Sequence, residues 1–124
     1  MEHSKEFEKL VRDIRRNVRE IPVTEALEKI ENGAVLIDVR EDREWDAGHA
    51  AGAEHIGRGV IERDIVRRHP DKNEEMILYC GGGYRSALAA DNLQKMGYAN
   101  VFSMIGGWTA YREAGAPVEK GENG

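Results

Sequence analysis

The chain contains a single cysteine, Cys80, and it stands where an apolar run meets three consecutive glycines: Met76-Ile77-Leu78-Tyr79-Cys80-Gly81-Gly82-Gly83-Tyr84-Arg85-Ser86. The nucleophilic form of cysteine is the thiolate, so a reactive cysteine needs hydrogen-bond donors and positive charge around its sulfur. This segment has those parts. Glycines let a backbone turn tightly and aim successive N–H groups into one concavity. A helix starting near Tyr84 would add the positive end of its dipole, and Arg85 would add a guanidinium. Cys80 is therefore the candidate nucleophile. Gly81, Gly82, Gly83, Tyr84 and Arg85 are the candidate binding residues, with the Tyr84 ring as one wall of the pocket and Ser86 in support. The plainer alternative is a packing cysteine, since free cysteine is commonly buried. The glycines, the arginine and the helix start behind Cys80 favour chemistry.

Other charged residues stand close enough in the chain to matter. Asp38 comes near the end of the apolar run Val35-Leu36-Ile37-Asp38-Val39. It reads as a turn or cap residue before it reads as a base, yet two strand ends could bring it and Cys80 to one crevice. Arg40 and Arg43 could extend an anion-attracting rim, although surface charge is their plainer role. Glu44 suits a structural partner for an arginine. Arg85 could attract an anionic donor or brace the loop through a carboxylate. His49 and His55 read as structural.

These groups need a scaffold. Phe7, Leu10, Val11, Ile14 and Val18 recur at helical spacing, so the segment from about Ser4 to Val18 is expected to be an amphipathic helix packed on the domain or on a partner. Ile21-Pro22-Val23 reads as a short strand, with the proline at an edge or a strand start. Thr24 is the expected N-cap of a helix that Gly33 ends. Strands are expected at 35–39, 53–56, 76–80 and 101–104, and helices around 42–46, 60–68, after Tyr84 as far as Gly97, and from Gly106 to near Gly115. Strands alternating with helices imply a parallel sheet covered on both faces. In such sheets the reactive groups lie beyond the carboxyl ends of the strands.

Bulk properties exclude several classes. A chain of 124 residues, 40% hydrophobic and 33% charged, suits one globular domain with its own core. A net charge of −5 disfavours nucleic-acid binding, which needs a cationic surface. The arginines at 12, 15, 16 and 19 are interleaved with acids and read as a solvated helix face. No apolar stretch is long enough to span a bilayer, and the polar start carries no signal-peptide core. One cysteine permits neither an internal disulfide nor a cysteine-based metal site, and the four histidines lack zinc-pair spacing. The expectation is a cytoplasmic protein without metal, cofactor, membrane or nucleic-acid partner.

Several ordered blocks together resemble the rhodanese family of sulfurtransferase domains. They are Leu36-Ile37-Asp38-Val39-Arg40-Glu41, Glu44-Trp45, Gly48-His49-Ala50-Ala51-Gly52-Ala53, Tyr79-Cys80 through Arg85-Ser86, and Gly106-Gly107-Trp108 with Tyr111, Ala114-Gly115 and Pro117-Val118. Order and spacing match from about Ile21 to Val118. The resemblance implies an α/β/α sandwich around a five-stranded parallel sheet, with an extra N-terminal helix. It divides the chain into a helix at 1–20, a rhodanese-like domain at 21–118 and a loose tail at 119–124. Ala50 departs from the isoleucine usual in the family, and the loop interior lacks the basic residues that some members carry.

The resemblance also implies a reaction. Cys80 would take sulfane sulfur from thiosulfate or a small-molecule or protein persulfide, carry it as a persulfide and pass it to cyanide or a thiol. The spacing from Cys80 to Arg85 is C-x4-R, whereas related phosphatases use C-x5-R. The shorter loop suits one terminal sulfur better than a phosphoryl group. The competing expectations are a non-catalytic interaction module docking through its N-terminal helix, and a cysteine-dependent phosphatase or arsenate reductase. The amphipathic helix would also allow a homodimer.

Overall fold

The structure is a computed structural model and describes residues 3–121. The end of the expected tail, residues 122–124, lies outside the described residues. In chain order the elements are α1 (Lys5–Arg15), β1 (Arg19–Ile21), α2 (Val23–Glu31), β2 (Val35–Asp38), α3 (Asp42–Ala47), β3 (His49–Ala50) and β4 (Glu54–His55). They continue with α4 (Ile61–Arg68), β5 (Met76–Tyr79), α5 (Tyr84–Lys95), β6 (Val101–Met104), α6 (Gly107–Glu113) and β7 (Val118–Glu119). Five strands form one all-parallel sheet in the order β1-β6-β5-β2-β4. The apolar run of β5 is central and buried along its whole length, as expected for a parallel strand covered on both faces. The sandwich with its five-stranded sheet and N-terminal helix is the architecture the sequence led us to expect.

Successive side chains on a strand point to opposite faces, and this alternation divides the core in two. Ile37, Met76, Leu78, Cys80 and Val101 pack with Ile14 of α1, Ile61 and Ile65 of α4, and Ala89, Ala90 and Leu93 of α5. Leu36, Ile77, Tyr79, Phe102 and Met104 pack with Val23 and Ala26 of α2 and Tyr111 and Trp108 of α6. The alanines of α5 are fully buried, and their small side chains let the helix sit close to the sheet.

Three local expectations are corrected. β1 ends at Ile21, so Pro22 is not in a strand: it is the N-cap of α2, and Thr24 lies inside the helix. Proline suits the start of a helix because its fixed φ is pre-organised there and the first N–H groups have no helical partner. A two-stranded antiparallel ribbon, β3 with β7, was not expected. Its strands are only two residues long and carry no readable period. The N-terminal helix starts at Lys5 with Ser4 as N-cap, its side chain accepting from the Phe7 N–H at 3.0 Å, and ends at Arg15. Val18 is buried but lies beyond that end. The apolar face of α1 packs on its own domain, with Val11 fully buried and Leu10 half exposed. No helix among the described residues is long and apolar enough to cross a membrane.

Candidate active site

Cys80 follows the last residue of β5, and α5 begins four residues later. Gly83 makes the turn: it is the N-cap of α5 with φ of 99°, a left-handed backbone that glycine adopts without a Cβ penalty. The Gly83 N–H donates to Cys80 Sγ at 3.1 Å. Behind the sulfur, Ser86 Oγ lies 3.6 Å from Sγ and 2.8 Å from Ser103 Oγ. Ser86 and Ser103 are fully buried, so their hydroxyls satisfy each other beside the thiol.

The outer side of the loop is held by α6. The Trp108 N–H donates to the Cys80 carbonyl at 2.7 Å and the Thr109 N–H to the Gly81 carbonyl at 3.2 Å. This contact requires glycine at 107. Its φ is +49°, and a Cβ there would stand 2.2 Å from the Cys80 carbonyl oxygen. The Cys80 and Gly81 carbonyls are thus engaged on the α6 side, while the Gly83 N–H meets the sulfur.

Cys80 is 1% exposed and forms part of the lining of a cavity of about 520 Å³. Gly82, Tyr84 and Arg85 line the same cavity with Glu41, Arg43 and Glu44. Gly81 and Gly83 do not line it; the Gly81 carbonyl accepts from α6 and the Gly83 N–H reaches the sulfur. Arg85 makes a two-pronged pair with Glu44, Nη1 to Oε1 at 2.7 Å and Nη2 to Oε2 at 3.1 Å. The Arg85 hydrogen bond is the main reason the Glu44 carboxyl falls to about 2, against the opposing effect of burial. Glu44 in turn raises the Arg85 pKa; burial works against this, and the nearby Cys80 adds to it. Arg85 therefore braces the loop to α3 while facing the cavity. A neighbouring concavity of about 580 Å³ shares Glu41, Arg43 and Arg85 and adds Arg58.

Asp38 and Arg40 do not line the Cys80 cavity. Asp38 pairs in register with Tyr79 and so points to the α6 face of the sheet, opposite Cys80. Arg40 is 3% exposed and Asp38 0%, which corrects the expectation of a surface charge at Arg40. The Asp38 carboxylate accepts from Arg40 Nη2 at 2.9 Å, from the Arg40 N–H at 2.8 Å and from the Tyr79 hydroxyl at 2.5 Å. Arg40 Nη2 also donates to the Gly48 carbonyl at 2.6 Å, and its guanidinium lies 4.6 Å from the centre of the Trp108 ring. Tyr79 is held well above the ordinary phenol range, first by burial and then by the Asp38 charge. It remains a neutral donor to Asp38 and accepts from the Ala50 N–H at 3.0 Å.

Sequence reasoning missed the contribution of the N-terminal segment. His3 and Phe7 line the Cys80 cavity. Their rings lie 4.3 and 5.9 Å from that of Tyr84. Arg15 sits over the Tyr84 ring at 4.8 Å and donates from Nη2 to the Gly83 carbonyl at 3.4 Å. Helical spacing identified Phe7 as part of an apolar face, but nothing in the spacing said which surface that face would meet. Among the described residues there is no cluster of three or more His, Cys, Asp or Glu side chains that could hold a metal.

Comparison with known proteins places this geometry among relatives. The sequence model of the Rhodanese-like domain matches residues 22–114. The thiosulfate sulfurtransferase GlpE of Haemophilus influenzae is 31% identical over 102 residues, spanning 82% of this chain and 94% of that protein. The GlpE of Pseudomonas fluorescens is 34% identical over 94 residues, spanning 76% of this chain and 84% of its own. Among solved structures, a protein of unknown function from Rhodopseudomonas palustris, described as a possible tyrosine phosphatase, superposes with a TM-score of 0.80 at 26% identity, covering 96% of this chain and 98% of that one. The polysulfide-sulfur transferase homodimer of Wolinella succinogenes shares the fold with a TM-score of 0.80 at 23% identity, over 94% of this chain and 88% of its own.

Proposed function

The chain belongs to the rhodanese-like domain family, and from that premise we propose that it is a sulfurtransferase that carries sulfane sulfur as a persulfide on Cys80. The observation that carries this reading is the Gly83 N–H directed at Cys80 Sγ at 3.1 Å beside an open cavity. The thiosulfate sulfurtransferases among its relatives support the reaction class.

In the first half-reaction the Cys80 thiolate bonds to the outer sulfur of a donor such as thiosulfate. The donor S–S bond breaks, and sulfite leaves with the electron pair. The enzyme then holds Cys80–S–S⁻, whose terminal sulfur carries the charge. The Gly83 N–H and its neighbours in the loop would stabilise that charge as an oxyanion hole does, where one donor can be worth about 3 kcal/mol. In the second half-reaction an acceptor thiolate, or cyanide, bonds to the terminal sulfur and the Cys80 thiolate is released. Arg85, tied to Glu44, keeps the loop in shape and adds positive potential to the cavity.

Incubation with thiosulfate followed by intact mass measurement is the test. The expected result is the gain of one sulfur atom, removed by cyanide and absent in Cys80→Ser. Absence of uptake from thiosulfate and from a persulfide donor would leave a non-catalytic module as the better reading. Cys80-dependent hydrolysis of an aryl phosphate would turn the assignment to a phosphatase, which the C-x4-R loop argues against.

A further inference from the structure

The matched family region begins at residue 22, yet two side chains of the Cys80 cavity, His3 and Phe7, come from before it. The His3 ring lies 5.1 Å from that of Phe7. Phe7 is part of α1, whose first turn is capped by Ser4. The helix is anchored by fully buried Val11. Arg15, at its other end, reaches the Tyr84 ring and the Gly83 carbonyl. The rings of His3, Phe7 and Tyr84 cluster as the aromatic part of the lining, and Glu41, Arg43, Glu44 and Arg85 supply its charged part.

Size and polarity together point to a ligand class. A cavity of about 520 Å³ falls in the range that takes small organic molecules; inorganic thiosulfate would occupy only a fraction of it and touch the aromatic wall with nothing apolar. Arg85 is engaged by Glu44, whereas Arg43 makes no ion pair among the described residues and offers a cation on the polar side. We infer that α1 is part of the donor site and selects an organic sulfane-sulfur donor, a thiosulfonate or persulfide with an apolar body, over inorganic thiosulfate. This inference rests on the sulfurtransferase reading of Cys80. The chemical step is unchanged: Cys80 Sγ bonds to the outer sulfur of a thiosulfonate, its S–S bond breaks, and sulfinate leaves with the electron pair. The apolar body meanwhile lies against Phe7 and Tyr84, and the sulfonyl oxygens face Arg43.

Benzenethiosulfonate and thiosulfate form a matched pair of donors, since a phenyl group replaces one oxygen while the transferred sulfur is the same. In the wild type, kcat/KM for loading Cys80 is expected to favour benzenethiosulfonate about tenfold, the scale of one aromatic contact with its buried area. Phe7→Ala should bring that ratio close to one. His3→Ala, which precedes the helix and leaves it intact, should lower it in part. Leu10→Ser, on the exposed side of the same helix, should leave it as in the wild type. A ratio near one in the wild type would overturn the inference, as would a Phe7→Ala variant that slows both donors in proportion. Binding of benzenesulfonate, followed by NMR, separates this from the parent reading. If neither donor loads sulfur but benzenesulfonate binds in a Phe7-dependent way, the transfer reading falls and the aromatic subsite stands. If benzenesulfonate does not bind either, both fall.

Discussion

Two arginine–carboxylate pairs stand near the same strand ends, Asp38–Arg40 and Glu44–Arg85, and they do opposite work. Asp38–Arg40 lies on the α6 face with both side chains almost wholly buried, at 0% and 4% exposed. Tyr79, Gly48 and the Trp108 ring occupy the remaining directions. Glu44–Arg85 lies on the Cys80 side with each side chain about one-third exposed, at 32% and 33%, against a cavity. The chemistry of the groups is the same; the environment differs. A buried pair cannot fall back on water when one partner is lost, whereas a half-exposed pair can. The first pair therefore holds the ends of β2 and β5 together, and the second can adjust the site at little cost to the fold.

Removing one partner from each pair tests that contrast. Asp38→Ala strands a buried guanidinium and a tyrosine hydroxyl, and should cost about 3–5 kcal/mol, read from the urea midpoint at unchanged slope. A loss below about 1 kcal/mol would mean that water reaches Arg40 and would erase the distinction. Glu44→Gln should cost less than about 1 kcal/mol but slow sulfur loading onto Cys80 about tenfold, equivalent to about 1.4 kcal/mol of barrier, because Arg85 loses its brace. Equal loading by wild type and variant would show that the loop holds its shape without the Glu44 carboxylate on Arg85.

The same pair sets an acid response. The Glu44 carboxyl is depressed from 4.5 to about 2 by Arg85. Its contribution is complete above the ordinary carboxylate value and is lost as pH falls through about 2. Acid titration of stability should therefore fall more steeply below pH 4.5 in the wild type than in Glu44→Gln; coincident curves would count against the pairing.

The smallest effect is expected at the opposite end of the strands. His69 contacts Glu74 through Nδ1 at 2.9 Å and Glu54 through Nε2 at 2.7 Å. Burial opposes its charge, but the two carboxylates outweigh burial and raise its pKa. The resulting stability is complete below the unfolded histidine value and is lost as pH rises through the raised one. Urea unfolding at successive pH values above 6.5 should show wild-type stability declining more than that of His69→Gln.

Much of this was legible in the chain. The apolar runs of β2, β5 and β6 announced a buried parallel sheet because residues covered on both faces must be apolar along their whole length. The glycines after Cys80 announced a turn into a helix. What escaped has physical reasons. β3 and β7 are too short to show a period, and they pair across 68 residues through Ala50 and Val118. Arg40 looked like surface charge because local sequence does not show that Asp38, Tyr79 and Gly48 converge on it. Phe7 looked like part of a generic amphipathic segment because periodicity marks an apolar face without naming its partner, and His3, in the polar start before that segment, belongs to no periodic pattern.

The division between the two levels is clearest at Asp38 and Cys80. From the order of residues alone it follows that both stand at strand ends, that the cysteine is followed by a loop able to turn N–H groups inward, and that a helix begins behind it. Those are consequences of local stereochemistry and patterning. That Asp38 pairs with Tyr79 rather than with Cys80 is a matter of how the strands assemble. Register fixes the face to which each side chain points, and a shift of one residue would exchange the two sides. Tertiary packing also brought α1 onto Tyr84, because a helix outside the sheet is placed by the surface that its apolar face can cover.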